Sequence, residues 1–168
     1  MSLHLLHTKI FDFEQSNHSV KSKLECKNGC SKCCFTDISV FKVESDFIRS
    51  WFNNLSDVEK DALKLNWKTS KADGACAFLR QDSCTIYEAR PVICRTQGLP
   101  LKLKQDDQEI LDICPLNEDV LNGLSQNQAL NLDLLNTILS HLEKMDSTGV
   151  MRPRDSLRKL FEELSSLI

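Results

Sequence analysis

Cys26, Cys30, Cys33 and Cys34 stand in the order C-x3-C-x2-C-C. Thiolate sulfur is a soft anionic ligand, and a loop of two or three residues turns the backbone far enough to aim two sulfurs at one ion about 2.3 Å away. Gly29, immediately before Cys30, supplies the backbone freedom such a turn needs. Lys21, Lys23, Lys27 and Lys32 surround the cluster; they either lower the thiol pKa values and offset thiolate charge, or they form an ordinary solvated face. Cys76, Cys84, Cys94 and Cys114 follow at wider spacing. Any one cysteine, taken alone, reads as a small buried hydrophobe. Eight in this arrangement read as metal ligands, enough for two four-coordinate sites. Adjacent side chains of an extended segment point opposite ways, so Cys33 and Cys34 are expected to serve two separate, interleaved sites, unless one of them is packing filler.

Zinc held by four thiolates is redox-silent and structural. Iron–sulfur clusters take the same ligands, and Cys114-Pro115 matches the Cys-Pro ending of bacterial ferredoxin motifs. Soft thiolates accept either metal. Zinc is the expected cofactor of the purified protein, with an iron–sulfur cluster as the alternative. The C-x3-C-x2-C spacing also occurs in radical-SAM enzymes, but a chain this short with mainly helical periodicity does not suit their strand-rich barrel.

The run from Cys26 to Cys34 is followed by Cys76-x-Phe78-Leu79 and then by Cys84-x-Ile86-Tyr87-x-x-Arg90-Pro91-x-x-Cys94-Arg95. In order and spacing this resembles the YkgJ-like cysteine-cluster family of zinc- or iron-chelating domains, over about residues 22–115. The resemblance implies a small cytosolic metal-binding domain.

Composition narrows the partners. The chain has 168 residues, 41% hydrophobic and 27% charged, which suits one globular domain with a real core. Lys+Arg 21 against Asp+Glu 24 leaves a net charge of -3, so no basic footprint for nucleic acid or anionic lipid is visible. No apolar run approaches the roughly 18 residues of a membrane span, and no basic segment leads into a secretory apolar stretch. A cytosolic location is expected, where thiols stay reduced and metal binding is the commoner use of clustered cysteines. No nucleophile elbow, phosphate loop, H-E-x-x-H or dinucleotide fingerprint occurs.

The elements that must position these thiols are mainly helical. An apolar stripe from Leu5 to Leu24 predicts a helix running into Cys26. Ile38 to Phe41 suits a short strand, and Phe47, Ile48, Trp51, Phe52 and Leu55 a helix. Ser56 and Glu59 form a capping box for the next helix. Residues 70–95 read as irregular, placing their cysteines on loops, with Pro91 at the first position of a short helix. Leu99 to Lys104 and Ile110 to Ile113, around Gln105-Asp106-Asp107, predict a β-hairpin that delivers Cys114. Two helices, Leu135 to Met145 and Leu157 to Leu167, close the chain. Tyr87 is expected in the core, Arg90 or Arg95 in a structural ion pair with Glu88 or Asp112, and His4, His7, His18 and His141 as surface or packing residues.

The expected fold is thus mainly α: a small single domain over 1–168, with a short β-hairpin and irregular cysteine-rich loops around a metal centre in about 22–115 and a helical pair in about 131–168. Two function classes remain. One is a metal-binding protein with a structural, storage or sensing role and a protein partner of unknown kind; the other is an iron–sulfur-dependent redox or transfer enzyme. A closed four-thiolate site favours the first, and an open coordination position or a substrate-sized pocket favours the second.

Overall fold

The computed structural model describes residues 2–26, 29–125 and 128–167. Helices dominate: α1 (Leu3–Ser16), α2 (His18–Lys21), α3 (Lys42–Asn53), α4 (Asp57–Trp67), α5 (Val92–Thr96), α6 (Leu132–Asp146) and α7 (Leu157–Ser166). The strands are short: β1 (Ser39–Val40), β2 (Leu79–Arg80), β3 (Ser83–Cys84), β4 (Leu101–Gln105), β5 (Gln108–Asp112), β6 (Leu130–Asn131) and β7 (Asp155–Ser156). These elements form two compact units, Met1–Lys27 with Val92–Gly149, and Asn28–Pro91 with Val150–Ile168. The two closing helices therefore belong to different units, α6 to the first and α7 to the second.

In the first unit, Ser2 caps α1 by accepting the Leu5 N–H at 3.2 Å, and Leu3, Leu6, His7 and Ile10 form its buried face. The stripe expected to continue to residue 24 breaks at Asn17. Its side-chain amide and its backbone N–H both donate to the Phe13 carbonyl, satisfying an orphan carbonyl where α1 ends. The predicted hairpin is present, with Leu101 opposite Asp112 and Gln105 opposite Gln108. Asp106 and Asp107 have φ of 50° and 61°, the left-handed pair that a type I′ turn requires. The sequence pattern did not indicate the third strand, β6, which pairs parallel with β4 through Leu101 and Leu130. The Asn131 side chain then accepts the Leu134 N–H at 2.9 Å and starts α6. Val20, Ile113 and Val120 form a small core with Leu24, Leu121 and Leu124.

In the second unit the capping box is made as predicted. The Ser56 N–H donates to Glu59 Oε2 at 2.8 Å, and the Glu59 N–H to Ser56 Oγ at 3.3 Å. The core gathers Ile48 and Phe52 of α3, Trp67 of α4, Leu157, Leu160 and Leu164 of α7, and also Phe78 and Ile86 from the segment that reads as irregular. Trp67 stacks on Phe52 and meets Phe78 and Phe161 edge-on. The predicted strand at residues 38–41 is observed as β1, which pairs antiparallel with β7.

Two polar devices hold this unit. Arg80, 5% exposed, donates to the carbonyls of Ala77 at 2.8 Å, Leu79 at 2.7 Å and Trp67 at 3.1 Å, and lies over the Phe161 ring. Nearer the surface, Arg49 binds Asp46, Asp155 and Glu163, and Lys42 also reaches Asp155. The Arg49 hydrogen bond holds the Glu163 carboxyl below the usual carboxylate range. Burial pushes Asp155 up, but hydrogen bonds from Ser45, Lys42 and Arg49 outweigh it and leave the group lowered. Among the described residues no helix is long and apolar enough to cross a membrane.

Arg80→Met is expected to destabilise the protein by about 3 kcal/mol in chemical denaturation, because buried carbonyls lose their donor. Carboxylates with lowered native pKa values contribute stability that is full above the ordinary range near pH 4 and is lost as pH falls through their native values. Melting temperature should accordingly drop on acidification below about pH 4, and Asp155→Asn should flatten that drop.

Candidate metal centre

The Cys30–Cys34 segment of the second unit is fixed by two long-range hydrogen bonds. Ser31 Oγ donates to Asp82 Oδ1 at 2.7 Å, and the Cys76 N–H donates to the Cys34 carbonyl at 2.7 Å. Asp82 and Gln81 form the left-handed two-residue turn between β2 and β3, with φ of 57° and 49°. Cys84 lies on β3, directly opposite Leu79 of β2. Trp67 Nε1 donates to Thr85 Oγ1, which itself donates to the Phe78 carbonyl. Thus Ser31 is tied to the turn of the short hairpin that carries Cys84, and Cys34 to Cys76, on the loop that leads into that hairpin.

The geometry of Cys33 and Cys34 corrects the sequence expectation. They are not in an extended segment: Lys32–Cys34 is a 3-10 helix, and the Cys34 N–H donates to the Ser31 carbonyl at 2.8 Å. Neighbouring residues of such a turn are rotated by about 120°, three per turn, so their side chains do not oppose each other. Here they meet. The Cys34 thiol donates to the Cys33 sulfur, which lowers Cys33 to about 6, helped by the charge of Arg90. The same hydrogen bond, together with burial and the nearby Cys33, Cys76 and Cys84, pushes Cys34 well up.

Two later thiols share a local pattern. Burial raises Cys76, against the Phe78 backbone N–H and the charges of Lys71 and Arg80. Burial pushes Cys84 up to about 11, with further raising by Cys76 and Cys33, against the Ile86 N–H and Arg90. In both cases the N–H two residues on points its dipole at the sulfur. That N–H favours thiolate, the form that binds metal, but burial outweighs it and leaves both thiols raised.

In the first unit, Cys94 lies on α5, and Cys114 directly precedes Pro115 at the start of a 3-10 helix. Cys26 is held by residues that the sequence pattern did not single out. Asn117, 1% exposed, donates from Nδ2 to Cys26 Sγ at 3.4 Å and to the Gly98 carbonyl at 3.0 Å. Its Oδ1 accepts the Glu25 N–H at 2.8 Å, and its own N–H donates to the Cys114 carbonyl at 2.7 Å. Gly98, at φ +87°, leaves the space that the Cys26 sulfur occupies; a Cβ there would collide with it.

Two expectations change at this stage, those for Tyr87 and Pro91. Tyr87 is 56% exposed rather than in the core, and the Arg90 guanidinium lies over its ring at 3.5 Å. An aromatic face capped by a cation needs no burial to be stabilised. Pro91 falls one residue before α5, which starts at Val92. His4, His18 and His141 are exposed and His7 is buried, its pKa pushed down to about 3 by burial and by the charges of Arg95 and His4. No disulfide joins any of the eight cysteines. Among the described residues no three His, Cys, Asp or Glu side chains are arranged as the ligand set of one ion. The donor chemistry fits zinc or iron, since thiolate sulfur is a soft ligand that either metal accepts.

The model of the CxxCxxCC family, described as a "putative zinc- or iron-chelating domain", matches residues 25–115. That span exceeds half of the chain and contains all eight cysteines; the chain belongs to this family. No curated protein and no solved structure matches this chain.

In the metal-free protein at neutral pH, iodoacetamide should modify Cys33 before Cys34. Its rate should fall as pH drops through about 6, because the reactive thiolate of Cys33 is then protonated. Peptide mass spectrometry after short exposures reads both; equal modification of the two residues would contradict the hydrogen-bonded pair.

Proposed function

We propose that this protein binds metal through cysteine thiolates, with Cys26, Cys30, Cys33, Cys34, Cys76, Cys84, Cys94 and Cys114 as the ligands. The metal is zinc, and its role is structural, storage or sensing rather than catalytic. The observation that carries this reading is the family match, whose 25–115 span contains every cysteine of the chain. The tethering of the Cys34 segment to Cys76 and the N–H donors on Cys76 and Cys84 support it. A reducing, cytosolic compartment suits a chain that keeps this many thiols available for metal.

Thiolates repel one another until a cation neutralises them, so the sulfurs close on the ion as it binds. Metal binding then orders the loops that carry them, a coupling worth of order 10 kcal/mol in small zinc domains. The second unit is the more sensitive, since Phe78 and Ile86 of those loops lie in the same core as α7.

Anaerobic purification followed by metal analysis and an absorption spectrum tests the assignment. Bound zinc without visible absorption is expected. A broad visible band with iron and sulfide would replace zinc by an iron–sulfur cluster, and metal-free protein with disulfides between these cysteines would overturn thiolate ligation. Treatment with a strong chelator should lower the melting temperature, with α7 losing helicity before α6. Unchanged thermal stability would rule out a structural role for the metal.

A further inference from the structure

We propose that Asn117 is the positioning residue for Cys26, holding its sulfur in place and donating a hydrogen bond to it as a thiolate ligand; this rests on the thiolate reading above. Cys26 lacks the regular structure that fixes Cys84 on β3, since it follows α2 across a segment without helix or strand. What fixes it is long-range. Asn117 lies 91 residues away in sequence, is almost wholly buried, and places its amide nitrogen 3.4 Å from the sulfur.

The orientation of that amide is determined by its surroundings. The Glu25 N–H is a donor and needs the carbonyl end of Asn117, while the Gly98 carbonyl is an acceptor and needs the amino end. The amino end therefore faces Cys26, and its second hydrogen points at a sulfur lone pair. The glycine at position 98 lets the sulfur approach, because any side chain would occupy its place. The N–H of Asn117 also holds the Cys114 carbonyl, so one buried residue connects the backbone at Cys114 to the side chain of Cys26. Phe78 and Ile86 give Cys76 and Cys84 an N–H from their own backbones. Asn117 gives Cys26 the equivalent from a side chain. Groups that orient a metal ligand in this way typically contribute 10–100-fold to metal affinity.

The test uses the full chain with cobalt(II) as the probe, its thiolate charge-transfer absorption reporting sulfur ligation. Cys26→Ser should weaken cobalt binding. Asn117→Ala should weaken it about 10–100-fold, yet cause no further loss when added to Cys26→Ser. Wild-type affinity in Asn117→Ala, or an equal loss in both backgrounds, would overturn the positioning role. Wild-type affinity in Cys26→Ser would overturn it too, while leaving metal binding by the other thiols intact. Absence of any thiolate-to-cobalt absorption in the wild-type protein would overturn both readings together. Circular dichroism of the metal-free variants establishes folding. Should Asn117→Ala not fold, the wild-type protein loaded with spin-half cadmium decides: scalar coupling from the labelled Asn117 side-chain amide proton to cadmium across the N–H···S bond is expected, and its absence overturns the proposal.

Discussion

The guanidinium of Arg80 is the interaction on which the second unit depends. A segment without long helices or strands leaves carbonyls pointing inward, and a buried carbonyl without a donor is costly. Arg80 carries enough N–H groups in a rigid fork to serve the carbonyls of Ala77, Leu79 and Trp67 at once, while its flat face rests on Phe161. One side chain thus joins the end of α4, the Cys76 loop and α7. A lysine could not do the same, because its charge is a point on a flexible stem.

From that anchor the placement of the thiols follows. Phe78 is fully buried between Trp67 and Phe161 and Ile86 is buried in the same core, which holds the backbone N–H groups of these two residues where they face Cys76 and Cys84. The tight turn at Gln81-Asp82 then offers a carboxylate to Ser31, and the Cys30–Cys34 segment is tied to the hairpin. Charge is distributed in the same economical way. Arg90 lies near Cys33 and Cys84 while it stacks on Tyr87, so a cation approaches the sulfurs without being buried. The first unit solves the corresponding problem with a neutral amide, Asn117, because an amide can serve an N–H, a carbonyl and a sulfur together.

What the sequence determined by itself is local. The capping box at Ser56 and Glu59, the two-aspartate turn at Asp106 and Asp107, and the apolar stripes of α6 and α7 each depend on residues within a few positions of one another, and each is found where the pattern places it. The order of the cysteines carries the family, since metal ligation constrains spacing. The break at Asn17 was not legible from apolar periodicity, although a local side-chain hydrogen bond accompanies it.

Tertiary structure decided the rest. Whether Cys33 and Cys34 oppose or meet depends on a 3-10 turn stabilised where Ser31 reaches Asp82, 51 residues away. The assignment of α6 and α7 to different units depends on what their apolar faces find, which a stripe alone does not encode. Asn117 and Gly98 carry no motif, and their role exists only because the fold closes a loop of 91 residues to bring Asn117 to Cys26. Periodicity and turn chemistry are properties of neighbouring residues, whereas the satisfaction of a buried amide, carbonyl or guanidinium is a property of whichever distant groups the chain brings to it.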